Sequence, residues 1–323
     1  MTQPGVSRQD PGWYSPTDLP DEVLAFDRSI RDGLGVGAAG KVGLLELSFA
    51  PVNGVTRLRR HYQRAPLHVY RPIYLDAAQP DMAFVFVLQS GDGLVQGDRY
   101  RVDINCEPGA RVHITTQAAT NVFRAQENLA TQLVYLQADS GAVLEYLPDP
   151  VVPFRGSRLF QRISLTADPE ATVILGETLL PGRVAYDETH AYDIYWSETE
   201  VRRPDGTLLF CDLLRFNPAE GEQPRSIGLL GGRDVVATLY IINGRMDRTT
   251  TVRDLRRALD SCPDVLAGVS ELPNGCGAAV RLLGSASQAV QAARTAAWNA
   301  ARLALLGVPA PDRRKGDGWL SSA

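Results

Sequence analysis

The segment that decides the fold is residues 91–124, which read GDGLVQGDRYRVDINCEPGARVHITTQAATNVFR. Apolar and polar residues alternate over residues 99–106 and again over 111–116, which is the pattern of two half-buried β-strands. The second strand ends in the run Thr115-Thr116-Gln117, where a packed sheet would ordinarily carry valine or isoleucine. The segment therefore predicts a β scaffold with a hydrophilic lining near a glycine-rich turn.

The strand pattern extends to both sides of this segment, with glycine, proline and aspartate as turn signals. Few helical patterns separate the strands. The sequence therefore predicts a mainly β fold, a large multi-stranded body that is layered or coiled like a helix, with a few C-terminal α-helices. The predicted strands are 43–50, 57–65, 82–89, 99–106, 111–116, 130–138, 142–147, 158–166, 171–180, 190–203, 208–215 and 234–242.

The C-terminal part has a different pattern. Residues 253–260 are predicted to be helical, and strands 266–272 and 278–283 form a hairpin closed by Pro273-Asn274-Gly275. The longest helix is predicted over 285–306, with Ser285 as N-cap and a stop at Gly307. Its apolar face either packs on the sheet or meets a partner protein. Three regions follow: a flexible N-terminal extension (1–40), a β body with a polar interior (41–250) and a C-terminal α/β region (251–323).

Composition limits the functional classes. The chain has 44% hydrophobic and 22% charged residues with a net charge of −4, which is typical of a globular protein and gives no sign of nucleic-acid binding. Short basic clusters such as Arg57-Leu58-Arg59-Arg60 are interpreted as solvated surface. Neither a membrane span nor a signal peptide is recognisable. Four widely spaced cysteines indicate reduced thiols, so a cytoplasmic location is expected.

The residues that could carry chemistry are mainly carboxylates. No nucleophile elbow, phosphate loop or His/Cys metal motif is present, and His113 is interpreted as a structural histidine. Asp98 follows Gly97 at the start of a strand, and Glu177 lies in an apolar strand. A buried carboxylate needs a partner, so Glu177 either pairs with Arg183 or another arginine, or belongs to a polar channel.

Several motifs resemble the urease accessory proteins called UreD or UreH, over roughly residues 40–315. Their order along the chain, together with the specific string Thr115-Thr116-Gln117-Ala118-Ala119-Thr120, makes coincidence improbable. Asp149 and Pro150, in one of the motifs, also read as a rigid turn. The other motifs are Leu94-Val95 with Gly97-Asp98, Leu147-Pro148-Asp149-Pro150 with Pro153-Phe154, Glu177 with Gly182-Arg183, Gly231-Gly232, and Leu306-Gly307-Val308-Pro309.

The resemblance implies a maturation chaperone without enzymatic activity, needed to assemble the urease nickel metallocentre. Its implied partners are the urease apoprotein, a helical accessory protein (the F protein) and, through it, a GTP-hydrolysing nickel carrier (the G protein). Neither a nucleic acid nor a membrane is an expected partner. The family is proposed to conduct nickel through a polar internal passage. The positions implied to line it here are Asp98, Thr115, Thr116 and Glu177, and the polar run adds Gln117 to this lining.

The chemistry of this lining suits transit. Imidazole and thiolate hold nickel(II) tightly, whereas separate carboxylates and hydroxyls bind it weakly and release it. Asp98 and Glu177 are therefore predicted to be weak, transient metal ligands, with no permanently bound cofactor. Two alternatives remain open: a β-scaffold hydrolase or isomerase that uses Asp98 and Glu177 as an acid/base pair, and an interaction module without a metal role.

Overall fold

The computed structural model describes residues 8, 10–16, 18–26 and 40–312 of the chain. These residues form a mainly β structure with a stacked, coil-like arrangement of strands and two long helices near the C terminus, so the predicted fold class is confirmed. The strands are β1 Val42–Val52, β2 Val55–Arg64, β3 Leu67–Val69, β4 Ala83–Gln89, β5 Arg99–Cys106, β6 Arg111–Gln117, β7 Thr120–Val122, β8 Ala130–Ala138, β9 Val143–Tyr146, β10 Val151–Pro153, β11 Arg158–Ala167, β12 Thr172–Leu179, β13 Ile194–Arg202, β14 Leu208–Phe216, β15 Val235–Ile242, β16 Val265–Glu271 and β17 Gly277–Gly284. The α-helices are α1 Asp21–Leu24, α2 Arg248–Leu259 and α3 Ser287–Leu306.

The strands form two sheets. The spatial order is β14-β13-β11-β8-β5-β1-β2 in the seven-stranded sheet and β16-β17-β15-β12-β9-β6-β4-β3 along the ten-stranded sheet, to which β7 and β10 attach beside β12. From β4 to β13 the chain passes repeatedly from one sheet to the other, so β5, β8, β11 and β13 are parallel neighbours, as are β4, β6, β9 and β12. The predicted β16–β17 hairpin is present as an antiparallel pair, and β13 and β14 also form an antiparallel hairpin.

The main hydrophobic core fills the space between the two sheets. Strand alternation sends every second side chain into it, as with Val173, Leu175 and Leu179 of β12. The intervening residue Ile174 belongs to a second core on the opposite face of the ten-stranded sheet, where α2 and α3 pack. A side chain's position along its strand therefore decides whether it faces the inter-sheet core or the helices.

The outer face of the seven-stranded sheet is covered by part of the N-terminal segment. Trp13 and Tyr14 are buried against Val42 and Leu44, and Val23 of α1 is buried among side chains of β8, β11 and β13. The predicted flexible extension thus contains segments that pack on the β body, which the sequence did not predict. The rest of that predicted extension lies outside the described residues.

The long C-terminal helix packs on the ten-stranded sheet. Small residues Ala293, Ala297 and Ala301 are fully buried, which lets α3 approach the sheet closely. The predicted N-cap was wrong: Ala286 is the N-cap residue and makes no side-chain bond, while Gly307 caps the C terminus in the left-handed region as predicted. The strands β16 and β17 join the ten-stranded sheet, so the C-terminal region and the β body share one sheet.

A buried ionic cluster lies between α3 and the sheet. Arg302, 0% exposed, forms ion pairs with Asp76 and with Glu145, at 3.3 Å from the Oε1 of Glu145. The other oxygen of Glu145 lies 2.7 Å from Nδ1 of His113, whose ring stacks on Phe84. His113 is thus held in a structural network, as interpreted from the sequence.

Candidate functional site

A pocket opens at the end of the sheets where β4, β6 and β9 end and β5 and β8 begin. Its exposed rim is formed by Gly91, Asp92 and the segment 117–119, and its buried depth by Tyr100 and Tyr146. Thr116 of the ten-stranded sheet and Gln132 of the seven-stranded sheet both line the pocket. The pocket therefore leads from solvent into the space between the sheets, and its walls carry amides and hydroxyls.

The two threonines of the predicted lining point to opposite faces of the sheet. Thr116 lines the pocket, and its Oγ1 accepts a hydrogen bond of 2.8 Å from the backbone N–H of Asp149. Thr115 is buried, and its hydroxyl donates to the carbonyl of Leu147, which belongs to the core under the helices. Strand alternation thus assigns Thr116, but not Thr115, to the pocket.

Gly93 keeps the rim of the pocket in place. Its φ is +155°, and an added Cβ would lie 2.3 Å from the carbonyl oxygen of Asn121. That same oxygen accepts the N–H of Leu94, which joins the rim to β7. Close backbone approach therefore requires glycine here.

We expect Gly93→Ala to lower the free energy of unfolding by about 1–3 kcal/mol, because the clash forces the rim away from β7. Urea unfolding of both proteins measures this difference. Gly91→Ala is the matched control, since no atom lies within 4 Å of a Cβ added at this other positive-φ rim position. Equal losses in the two variants would contradict a role for the close approach.

Asp98 does not line the pocket but lies behind its wall. The carboxylate is buried and accepts hydrogen bonds from the backbone N–H groups of Lys41 and Val95, at 2.7 and 3.0 Å. It also accepts a bond from the hydroxyl of Tyr100, whose ring lines the pocket. Burial raises the pKa of Asp98, while these bonds act in the opposite direction. Asp98 thus fixes the turn before β5 and positions Tyr100.

A row of polar side chains crosses the seven-stranded sheet at one register, and we call it the polar row. Tyr100 of β5 pairs with Gln132 of β8, Gln132 with Gln161 of β11, and Gln161 with Ser197 of β13. All four share the strand parity of residues in the inter-sheet core. The amide of Gln161 donates to the Ser197 hydroxyl over 2.9 Å. The polar row therefore runs from the pocket into the inter-sheet core.

Glu177 meets the polar row from the opposite sheet. The Ser197 hydroxyl donates to its carboxylate over 2.6 Å. No arginine, lysine or histidine among the described residues pairs with it, so the alternative of an ion pair was wrong; Arg183 pairs with Glu188 instead. Burial raises the pKa of Glu177 to about 7; the Ser197 bond lowers it, the charge of Asp212 raises it and that of Arg281 lowers it.

The far side of this polar region reaches the surface at β14. Asp212 accepts a hydrogen bond from Tyr240 of β15 and forms an ion pair with Arg281 of β17. The side chains of Asp212 and Arg281 are 29% and 42% exposed. Polar groups thus extend from the pocket, through Glu177, to a half-exposed ion pair on the other side of the sheets.

Two hydroxyls near Glu177 are buried without a hydrogen-bond partner among the described residues. They belong to Thr199 of β13 and to Thr238, which pairs with Glu177 across the β12–β15 ladder. Buried polar atoms are nearly always bonded, and those that find no partner in the protein recruit water or a polar ligand. The surroundings of Glu177 are therefore suited to water or a hydrated ion rather than to a dry apolar core.

The remaining predicted residues have mainly structural contacts. Gly97 bonds to the carbonyl of Leu129, and the carbonyl of Pro150 accepts the N–H of Thr120, so both hold strand connections together. Asp149 bonds Thr116 through its backbone, as described above. Arg183 pairs with Glu188 and lies over the ring of Phe154 at 4.0 Å. Gln117 is exposed on the pocket rim.

Asp98 and Glu177 are held by different strands of the seven-stranded sheet, through separate hydrogen bonds. Asp98 is bonded to Tyr100 of β5 and Glu177 to Ser197 of β13. Three strand spacings separate β5 from β13, on the order of 14 Å. Carboxylates that act together on one bond lie about 5–10 Å apart. The structure therefore favours separate roles for the two carboxylates over joint acid/base chemistry in a hydrolase or isomerase.

The side chains of this site offer a metal ion only hydroxyl, carboxylate and amide groups as ligands. Within the part of the chain that the structure describes, no three His, Cys, Asp or Glu side chains are arranged to hold a metal ion. Sequence reasoning missed Gln132, Gln161 and Ser197, although each interrupts an apolar run at an inward position of its strand.

No helix among the described residues is long and apolar enough to cross a membrane.

Comparisons with known proteins give a consistent result. Residues 41–317 match the family described as UreD urease accessory protein. The chain is 44% identical to a protein of Streptomyces griseus named urease accessory protein UreD 2, over 90% of this chain and all of that one. It is 35% identical to a urease accessory protein UreD of Haloarcula marismortui, over 87% of this chain and 92% of the relative. A UreD protein of Cenarchaeum symbiosum is 34% identical over 87% and 99% of the two chains.

Proposed function

Because the chain belongs to the UreD urease accessory protein family, we propose that it serves in urease maturation and that nickel(II) passes along the polar row on its way to the apoenzyme. The observation that carries the second part is Glu177, a buried carboxylate without a cation partner among the described residues. It lies at the end of a row of polar residues that begins at the pocket, on the side of the half-exposed ion pair between Asp212 and Arg281.

The polar row, together with Glu177, has the chemistry of a transit path. Its donors are amide, hydroxyl and carboxylate oxygens, which bind nickel more weakly than imidazole or thiolate. These oxygens are spread along the row, and some already have protein partners, as Ser197 has Gln161, so that no position gathers the ligands of a stable site. Several weak positions in series favour movement over retention. Glu177 supplies the negative charge that compensates a cation between the sheets.

Partners follow from the same proposal. The chain docks on the urease apoprotein and on the helical F protein, and the GTP-hydrolysing G protein joins through the latter. Maturation takes place in the cytoplasm. The family names support an accessory role in general, and the particular partners are part of the proposal.

The test replaces two amide side chains of the polar row by apolar ones, which leaves the charge of the protein unchanged. We expect the double variant Gln132→Leu/Gln161→Leu to lower the rate of nickel incorporation into urease by about tenfold, the effect of a barrier higher by roughly 1.4 kcal/mol when hydrogen-bonding groups are lost. Metal analysis of urease, purified after expression of its gene cluster with either form, measures the nickel content over time.

Thr115→Val is the matched control. It also removes a buried hydrogen bond, but Thr115 faces the helices and not the pocket. This variant is expected to load urease at the wild-type rate. Co-purification of apo-urease with each variant verifies that the complex still forms. Full nickel loading in the double variant, with the complex intact, would refute transit along the row.

A further inference from the structure

The free edge of the seven-stranded sheet is an exposed surface rich in arginine. β2 is the terminal strand of this sheet, and the described residues add no strand beyond it. From Arg59 to Arg64 all six residues are exposed. Tyr70 and Arg71, also exposed, follow β3 beside this edge, because the side chain of Gln63 accepts the backbone N–H of Val69. We call residues 59–64 with Tyr70 and Arg71 the basic edge.

Positive charge is concentrated here without compensation. Residues 53–75 contain five arginines and two histidines but no aspartate or glutamate, in a chain whose net charge is −4. Among the described residues, no carboxylate lies within ion-pairing distance of Arg59, Arg60 or Arg71, whereas many other arginines of the chain are paired. A surface of this kind attracts a negatively charged partner and increases the rate at which it associates.

Aromatic side chains lie among these charges. Tyr70 is 72% exposed and Tyr62 is 41% exposed, with the guanidinium of Arg8 over the Tyr62 ring at 4.3 Å. Tyrosine and arginine are the residues most enriched where protein surfaces bind other proteins, because they combine apolar contact area with directed hydrogen bonds. The composition therefore favours a protein over a simple anion as the partner.

The backbone of β2 has the regular geometry needed to pair with an added strand. One bulge lies between Leu58 and Arg60, after which the pairing with β1 is regular from Arg60 to Arg64. In a regular terminal strand, half of the N–H and C=O groups point away from the sheet and can bond to an added strand. Five residues are enough for such an addition, which is a common mode of peptide recognition.

We propose that the basic edge binds an extended, acidic segment of a protein partner, which adds to β2 as a further strand. Backbone hydrogen bonds hold the segment, and Arg59, Arg60 and Arg71 pair with its carboxylates. The proposal rests on the proposed function only for the choice of apo-urease as the natural partner to test. The edge is distinct from the pocket and from the polar row.

The direct test uses a defined probe. A synthetic peptide of alternating glutamate and valine is added to the full chain, and amide hydrogen exchange is followed by mass spectrometry. We expect slower exchange confined to residues 59–64. Arg59→Glu/Arg60→Glu is expected to raise the peptide Kd by about tenfold or more, because two favourable charge contacts become repulsive. Unchanged exchange in β2 at saturating peptide would overturn the proposal.

Two controls separate this binding from general attraction of anions. Arg253→Glu/Arg257→Glu changes the same net charge on exposed positions of α2, and the peptide Kd should then stay within about twofold, as expected of charges distant from the site. A short DNA duplex serves as a competing polyanion. An equal loss in the α2 variant, or protection of β2 by DNA as strong as by peptide, would overturn strand addition by a protein segment.

The second part of the test measures the binding of apo-urease to the same variants. Reduced binding of apo-urease to Arg59→Glu/Arg60→Glu, with wild-type binding to the α2 control, supports the basic edge as its docking site. Equal binding by both variants would overturn that role. If the peptide protects β2 but the wild-type chain does not bind apo-urease, the proposed partner is wrong and the basic edge stands. The two failures are therefore distinguishable.

Discussion

Replacing Glu177 by glutamine should make the protein more stable at pH 8 while it abolishes nickel transfer. Burial raises the pKa of this carboxyl from 4.5 to about 7, so between these values the folded protein holds a proton that the unfolded chain has lost. Stability therefore falls as pH rises through this window. Since glutamine carries no charge, the variant should gain on the order of 3 kcal/mol above pH 7 and nothing below pH 4.5. Urea unfolding at a series of pH values measures this gain.

Ser197→Ala is the informative control for Glu177. The Ser197 bond lowers the pKa of Glu177, so its loss should raise that pKa further and destabilise the protein most at alkaline pH. The two variants are therefore expected to shift the pH dependence in opposite directions. A gain in Glu177→Gln that is the same at pH 5 and pH 8 would show that this carboxyl does not titrate near neutrality. Nickel loading of urease is measured in parallel, and an unaffected rate would remove Glu177 from the path.

The gain in stability and the loss of function have one cause. A carboxylate buried without a cation partner destabilises the folded protein, and a chain selected for stability alone would carry an uncharged residue there. Such conflicts are typical of functional positions. This explains why Glu177 could be chosen from the sequence, because a single charge in the apolar run Ile174–Leu180 violates the pattern of a buried strand.

The orientation of single residues was harder to predict than the existence of the strands. The run Thr115-Thr116-Gln117 was correctly placed at the end of a strand, but adjacent residues of a strand face opposite sides. Both sides of the ten-stranded sheet are covered, one by the other sheet and one by helices, so hydrophobicity could not show which threonine faces the pocket. Only the packing of α3 resolves this.

The polar row could be predicted only with knowledge of how the strands pair in register. Along the chain, 29 residues separate Gln132 from Gln161, and 36 separate Gln161 from Ser197. They become neighbours only because the coiled topology places their strands side by side. No local signal connects them, because each is a single polar residue in its own strand. Asp98 illustrates the opposite error: its motif was recognisable, but its carboxylate bonds backbone N–H groups behind the pocket wall.

The C-terminal helix shows a further limit of periodicity. The small apolar face of α3 was predicted correctly, yet the buried side also contains Arg294 and Arg302, which a hydrophobic pattern assigns to solvent. Arg302 is fully buried because Asp76 and Glu145 approach it from a loop and from β9. These partners are distant in sequence, so their pairing could not be predicted without the fold.

We therefore expect Arg302→Met to cause the largest loss of stability among single substitutions proposed for this protein, about 3–5 kcal/mol at pH 7. Methionine has a similar length but leaves the carboxylates of Asp76 and Glu145 buried without their cation, and only His113 remains beside Glu145. Urea unfolding followed by tryptophan fluorescence measures the loss, with Trp298 beside the cluster as a local probe.

The triple variant Arg302→Met/Asp76→Asn/Glu145→Gln distinguishes lost charge pairing from lost packing. With no charge left in the cluster, the uncompensated carboxylates disappear, and most of the stability should return, since neutral replacement of a whole buried ion network is often nearly without cost. If the triple variant is as unstable as Arg302→Met, the shape of the arginine side chain and not its charge holds α3 on the sheet. If Arg302→Met alone stays within about 1 kcal/mol of wild type, the carboxylates are solvated and the cluster does not anchor the helix.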